Sequence, residues 1–215
     1  MIKFHAPFSL LIAGSSGTGK TQIVYKLLQN QSDLFTTPPD KILYCYGQYQ
    51  SLFDDIEKQC ANVEFYEGLP SKDIIIAFAS KYKSSLICID DLMAECINSS
   101  DMQDVFTKYS HHLNMSVIFI SQNLYIQGKY SRTISLNLHY IIATKSNRDI
   151  SQISVLARQT GLRKTLQQAY SDATSIPFGY LLIDLSPWPI ENEGQQLQLY
   201  TNIFPPNDLV VYTPI

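Results

Sequence analysis

The chain has 215 residues, of which 45% are hydrophobic and 16% charged, and a formal net charge of −3. That length can bury one sizeable core, with at most a small appendage, and the composition excludes a disordered chain. The slightly acidic balance gives no global attraction to nucleic acid, so any such contact must come from a local patch; the sparse surface charge suits self-association.

The first strand-like run is 8–13, where Phe8, Leu10, Leu11, Ile12 and Ala13 predict a buried parallel strand. Gly14, Ser15, Ser16, Gly17, Thr18, Gly19, Lys20 and Thr21 follow, matching the Gly, four residues, Gly-Lys-Thr pattern of a nucleoside-triphosphate phosphate loop. Glycines at these positions let the backbone curl with its N–H groups inward, cradling phosphate oxygens at a helix N-terminus. Lys20 supplies a point charge to the outer phosphates, and Thr21 a hydroxyl for Mg²⁺. The competing reading, a chance glycine-rich turn, is disfavoured by the strand before it and the predicted helix 20–29 after it.

Further strand-like runs occupy 41–46, 86–90, 116–121 and 139–144, and 63–66 is either an edge strand or a packed connection. Helices are expected at 72–82, 101–113, 149–160 and 163–173, the second of these opened by Ser100 or Asp101 as N-cap. Such alternation predicts an α/β fold with a mostly parallel central sheet covered by helices on both faces. From Ile176 the texture changes: 180–185 reads as an added strand, and Trp188, a polar patch at 191–196 and two short β-like runs ending at Pro214 form an extended tail. The expected division is a P-loop core at 1–175 and a C-terminal strand and tail at 176–215, within the same domain. The tail could pack on its own domain or reach a neighbouring subunit.

The apolar run Leu86, Ile87, Cys88, Ile89 ends in Asp90 and Asp91, as a Walker B element should. Asp90 would hold Mg²⁺ through its water shell, and Asp91 would polarise the attacking water; the competing reading is a pair of solvated acids. After 117–120 come Ser121, Gln122 and Asn123 at the carboxyl edge, where open α/β sheets bind ligands. Gln122 could sense a γ-phosphate or orient water, or simply cap a loop. An arginine supplied in trans could stabilise the transferred phosphoryl, with Arg132 the first candidate and Arg148 the second. Either could equally be a surface cation. Lys129 and Arg132 form the best local basic loop for DNA phosphates.

Cys45, Cys60, Cys88 and Cys96 show no zinc spacing, and Cys45 and Cys88 read as core thiols of a reducing compartment. His111 and His112 point about 100° apart on a helix, which argues against a shared metal. With no N-terminal signal pattern and no apolar run near the ~18 residues of a membrane span, the expectation is a soluble intracellular protein with no membrane partner.

Taken together, the phosphate loop, ICIDD, FISQN, RTISLN at 132–137, SNRD at 146–149, GYLLIDLSP and the NIFP and VVYTP tail resemble the DNA-packaging ATPases of the FtsK-HerA superfamily. The segment order is similar to the poxvirus-type enzymes and to those of Polinton-like elements. The resemblance implies ATP and Mg²⁺ as ligands, double-stranded DNA and capsid proteins as partners, and a homo-oligomeric ring of five or six subunits at sites of virion assembly in the host cytoplasm or nucleus. It implies hydrolysis of ATP to drive duplex DNA into a preformed capsid. Asp91 stands where the superfamily more often has Glu.

Two alternatives remain from the residues alone. A small phosphotransferase needs an arginine-rich lid, and the 16 Lys and Arg residues here are spread thinly. TKSN at 144–147 is not the guanine-reading motif of a GTPase. A nucleotide-gated assembly protein with slow or no hydrolysis is kept open by Asp91.

Overall fold

Apolar residues on the strands alternate between two helical layers, and this sets the architecture of the computed structural model, which describes residues 2–125, 127–146, 150–187 and 198–213. The strands are β1 (Ser9–Ala13), β2 (Lys41–Tyr46), β3 (Val63–Glu67), β4 (Ser85–Asp90), β5 (Met115–Ser121), β6 (Tyr140–Thr144), β7 (Tyr180–Asp184), β8 (Gln198–Thr201) and β9 (Val210–Tyr212). Among the described residues they form one sheet in the order β3-β2-β4-β5-β1-β6-β7-β8-β9. From β3 to β6 all pairings are parallel. The last three strands add antiparallel, so the C-terminal segment continues the sheet of its own chain.

Leu10, Ile12, Leu86, Cys88, Ile118 and Ile120 face one layer, with Ile23, Val24, Leu27 and Leu28 of α1 (Lys20–Gln29). Leu11, Ala13, Ile87, Ile89, Val117 and Phe119 face the other. Two-faced burial explains why these strands read as continuous apolar runs without alternation of polarity. The short helix α2 (Gln31–Leu34) follows α1, and α3 (Leu52–Gln59) buries Phe53 and Ile56 on the α1 side. The opposite layer contains α4 (Lys72–Ala79), α5 (Met93–Asn98), α6 (Ser100–Asp104), α7 (Ser110–His112), α8 (Ser131–Leu136), α9 (Ile150–Gln159) and α10 (Arg163–Ala173).

The structure corrects several details of the sequence reading. The run 63–66 is an edge strand, paired in parallel with β2. The helix expected over 101–113 is broken by a π-helical turn, Val105–Tyr109, whose extra residue sends Val105 and Phe106 into the core, Phe106 edge-on to Phe119 at 4.8 Å. Its N-cap is Ser99, one residue before the expected Ser100 or Asp101, because the Ser99 hydroxyl accepts the Met102 N–H at 3.3 Å. The helix expected to 82 ends at Ala79. All four cysteines are free and buried, and His111 and His112 are exposed. Trp188, the polar patch 191–196 and Pro214 lie outside the described residues.

Residues before β1 complete the core at its amino edge. The Phe4 N–H donates to the Leu34 carbonyl at 2.7 Å, and the Phe4 carbonyl accepts from the Thr36 N–H at 3.0 Å. The Phe4 ring, fully buried, meets Phe8, Phe35 and Tyr140 within 6 Å. Truncating so large a buried ring removes both its transfer free energy and its packing partners. Phe4→Ala should therefore lower stability in urea unfolding by about 3 to 5 kcal/mol; a loss below about 1 kcal/mol would show that this segment is not part of the core.

Candidate functional site

β1 is hydrogen-bonded on both sides, to β5 and β6, so its carboxyl end is rigid and delivers residues 14–19 to the N-terminus of α1. Gly14 passes so close to β6 that a Cβ there would lie 1.9 Å from Thr144 Oγ1. Its N–H reaches back to the Ser121 carbonyl at 3.3 Å. Gly19 takes φ +88 as the N-cap, with no side-chain cap on α1, which leaves the first N–H groups of the helix available to an anion. Thr18 Oγ1 lies 2.6 Å from Thr144 Oγ1 and donates to the Ser15 carbonyl at 2.8 Å, and the Ser15 hydroxyl donates to Ser146 Oγ at 3.3 Å. Ser16 and Gly17 form the exposed crown of the loop.

The Lys20 ammonium donates to the Gly14 and Ser15 carbonyls, each at 2.9 Å, so it is anchored in the concavity of the loop. Burial pushes its pKa below the ordinary lysine value, and the nearby Asp90 and Asp91 carboxylates oppose that shift. Asp90, at the end of β4, is buried, and burial raises its pKa above the usual carboxylate range. Two groups resist this: Tyr44, whose phenol donates to Asp90 Oδ2 at 2.8 Å, and Lys20. Tyr44 is itself fully buried on β2, diagonal to Asp90 across the β2/β4 ladder, which pairs Tyr44 with Cys88. Asp91 is exposed and lies in the left-handed region at φ +59, which Asp tolerates better than most residues.

Ser16, Gly17, Gly19, Lys20, Thr21, Asp90, Asp91, Ser121 and Gln122 line one open cleft of about 630 Å³ at the carboxyl edge of the sheet. The expected phosphate, metal and water-orienting groups are thus brought together from β1, β4 and β5. Thr21 and Asp90 offer a hydroxyl and a carboxylate, hard oxygen donors of the kind Mg²⁺ takes when it keeps most of its waters.

The arginines are placed differently. Arg132 sits exposed on α8, and no arginine among the described residues lines the cleft. Arg148 lies outside the described residues. Lys129 lies over the Tyr130 ring at 5.1 Å, in the turn before α8.

Several participants were not legible as motifs. Tyr44 looks like one more apolar residue of a buried strand. Gln152 on α9 accepts the N–H groups of Leu124 and Tyr125 at 2.8 and 3.1 Å, tethering the segment after Gln122. Tyr170 on α10 donates to the Thr144 carbonyl at 3.0 Å and accepts the Ser146 N–H at 2.9 Å. Gln48, Tyr49, Gln50 and Phe178 also line the cleft; for Phe178 the one available signal is the turn implied by Pro177 and Gly179 on either side of it.

Removing the Tyr44 hydroxyl deletes the donor that favours ionised Asp90, so the carboxyl takes up a proton at higher pH. Activity that needs the carboxylate is lost as pH falls through that pKa, so Tyr44→Phe should move the acid limb of the pH profile upward for any hydrolysis carried out in this cleft. If Asp90 holds Mg²⁺, the Mg²⁺ concentration needed should rise about tenfold, as is usual when the partner of a metal-binding carboxylate is lost. An unshifted limb with unchanged Mg²⁺ requirement would remove Tyr44 from the site.

No protein-family profile and no curated protein matches the chain. Solved structures do. The DNA-packaging ATPase B204 of Sulfolobus turreted icosahedral virus superposes with a TM-score of 0.55 at 11% identity, covering 99% of this chain and 100% of that one. The genome-packaging NTPase B204 of Sulfolobus turreted icosahedral virus 2 matches in complex with AMP at a TM-score of 0.52 and 12% identity, over 82% of this chain and 92% of that one. In complex with ATP-gammaS it matches at 0.51 and 10%, over 97% and 98%. At these identities the likeness establishes the fold: the chain is a P-loop NTPase in architecture.

Proposed function

We infer that this chain is a DNA-packaging ATPase of the FtsK-HerA type, which hydrolyses ATP to move double-stranded viral or transposon DNA into a preformed capsid. The observation that carries the reading is the convergence of Lys20, Thr21, Asp90, Asp91 and Gln122 on one cleft at the carboxyl edge of this fold. Neither a lone phosphate loop nor a lone pair of acids would support it.

In this reading the N–H groups of the loop and of α1 hold the phosphates, and Lys20 leaves the Gly14 and Ser15 carbonyls to meet phosphate oxygens. Thr21 and Asp90 would hold Mg²⁺, which would supply neutralisation of phosphate charge. Asp91 accepts a proton from the attacking water, and Gln122 orients that water against the γ-phosphate. The left-handed backbone at Asp91 is the kind of local strain that clusters at such sites.

In a ring, a neighbour's Arg132 or Arg148 would complete the cleft and stabilise charge on the transferred phosphoryl. Loss of the γ-phosphate at Gln122 would then move the tethered segment 123–125 and, through Gln152, α9. Lys129 and Arg132 are the basic groups that would meet DNA phosphates, and capsid proteins are the remaining partner.

The test is steady-state ATP hydrolysis by the purified, assembled chain with and without linear duplex. Duplex should stimulate turnover, Lys20→Ala should abolish it, and the double variant Arg132→Ala, Arg148→Ala should lose on the order of a hundredfold or more. Hydrolysis indifferent to duplex in the wild type would contradict the motor reading, and full activity in the double variant would contradict the trans arginine.

A further inference from the structure

The segment leading into β7 sets an aromatic ring over the phosphate loop at a conformational cost that folding does not explain. Residues 176–179 form a β-turn closed by the Gly179 N–H, which donates to the Ile176 carbonyl at 3.1 Å. Pro177 stands at the second position of the turn, where its fixed φ fits, and Phe178 at the third, with φ +59. That third position favours Gly or Asn, because a Cβ in left-handed backbone is crowded. A Gly is present next door, at 179, but a side chain there would put Cβ 2.2 Å from the Ala173 carbonyl oxygen, so the turn has no room to shift by one residue.

Core packing does not account for the strain, since Phe178 is 70% exposed. What its ring does contact is the loop: a Cβ on Gly19 would lie 3.1 Å from Phe178 Cδ1. Phe178 also lines the cleft of Lys20, Thr21 and Gln22. An exposed aromatic ring held in unfavourable backbone beside a ligand cleft is an outlier that points to binding.

The sheet order says which part of the ligand it meets. Asp90 and Gln122 follow β4 and β5, on one side of β1, whereas Phe178 arrives from the β6/β7 side. A triphosphate whose terminal phosphate lies among Lys20, Asp90 and Gln122 therefore has its nucleoside end toward Phe178. Resting on the nucleotide reading above, we propose that Phe178 is the platform on which the base of the bound nucleotide stacks. Tyr49, the other exposed aromatic of the cleft, belongs to the β2 side, and its ring is engaged edge-on by Phe53 and Tyr46 while its hydroxyl donates to Asp54.

Calorimetric titration of the full-length chain with Mg²⁺ and either ATP or inorganic triphosphate tests this, alongside thermal melting. For Phe178→Gly, ATP affinity should fall about tenfold, the lower range of one lost base-aromatic stack. Inorganic triphosphate, which has no base, should bind as to the wild type, and the melting temperature should stay level or rise because Gly suits the turn. Phe178→Trp should keep ATP affinity. Unaltered ATP affinity in Phe178→Gly or an equal loss for both ligands would overturn the platform while leaving the nucleotide reading intact. A wild-type chain that binds triphosphate and ATP with equal affinity would overturn the platform alone; one that binds neither would overturn both readings.

Discussion

The whole carboxyl edge is organised by one close approach, that of Gly14 to Thr144. β1 lies between β5 and β6, and the chain leaving it has no room for a side chain before it turns into α1. Thr144 in turn contacts Thr18 within the loop, and its carbonyl accepts from Tyr170, so strand, loop and α10 are fixed to one another. A phosphate cradle has to be preformed to be useful, because ordering a flexible loop at the moment of binding subtracts from affinity. Here the core itself, through a doubly paired strand, does the ordering.

Electrostatics at the same edge run against burial. Asp90 is a strongly buried acid of the cleft, and desolvation works against its charge, while Tyr44 and Lys20 oppose that effect. Lys20 is subject to the mirror-image conflict, with burial against it and the two aspartates for it. The two charges depend on each other, so the site holds a cation and an anion poised without a direct ion pair between them. In the proposed function these are the groups that would meet a phosphate and a hard metal ion, with the neutral Tyr44 favouring the charged form of Asp90.

Much of this was legible in the sequence, for a physical reason: the phosphate loop and the ICIDD strand are contiguous, and doubly buried strands leave unmistakable apolar runs. The fold class and the eight-residue loop 14–21 therefore came directly from the residues. What was not legible depends on contacts between segments far apart. Tyr44 meets Asp90 across 46 residues, and Thr18 meets Thr144 across 126. α3 was missed because Phe53 and Ile56 are its only buried residues, in an otherwise acidic stretch. The π-helical turn at 105–109 inserts a residue that no helical period reveals, and adjacent serines at 99 and 100 are distinguished only by which one reaches the Met102 N–H. Phe178 escaped notice because an aromatic residue between Pro and Gly reads as an ordinary turn until its backbone sign is known.

In the proposed function, nucleotide turnover in this cleft is coupled to movement along DNA. Displacement of a third strand from a triplex at the end of a linear duplex, followed in time with ATP and assembled protein, measures that movement directly. Displacement should need ATP, lag in proportion to the length of duplex in front of the triplex, and vanish with Lys20→Ala. ATP hydrolysis at full rate with the third strand left in place would contradict it, and would make the chain a nucleotide switch instead of a motor.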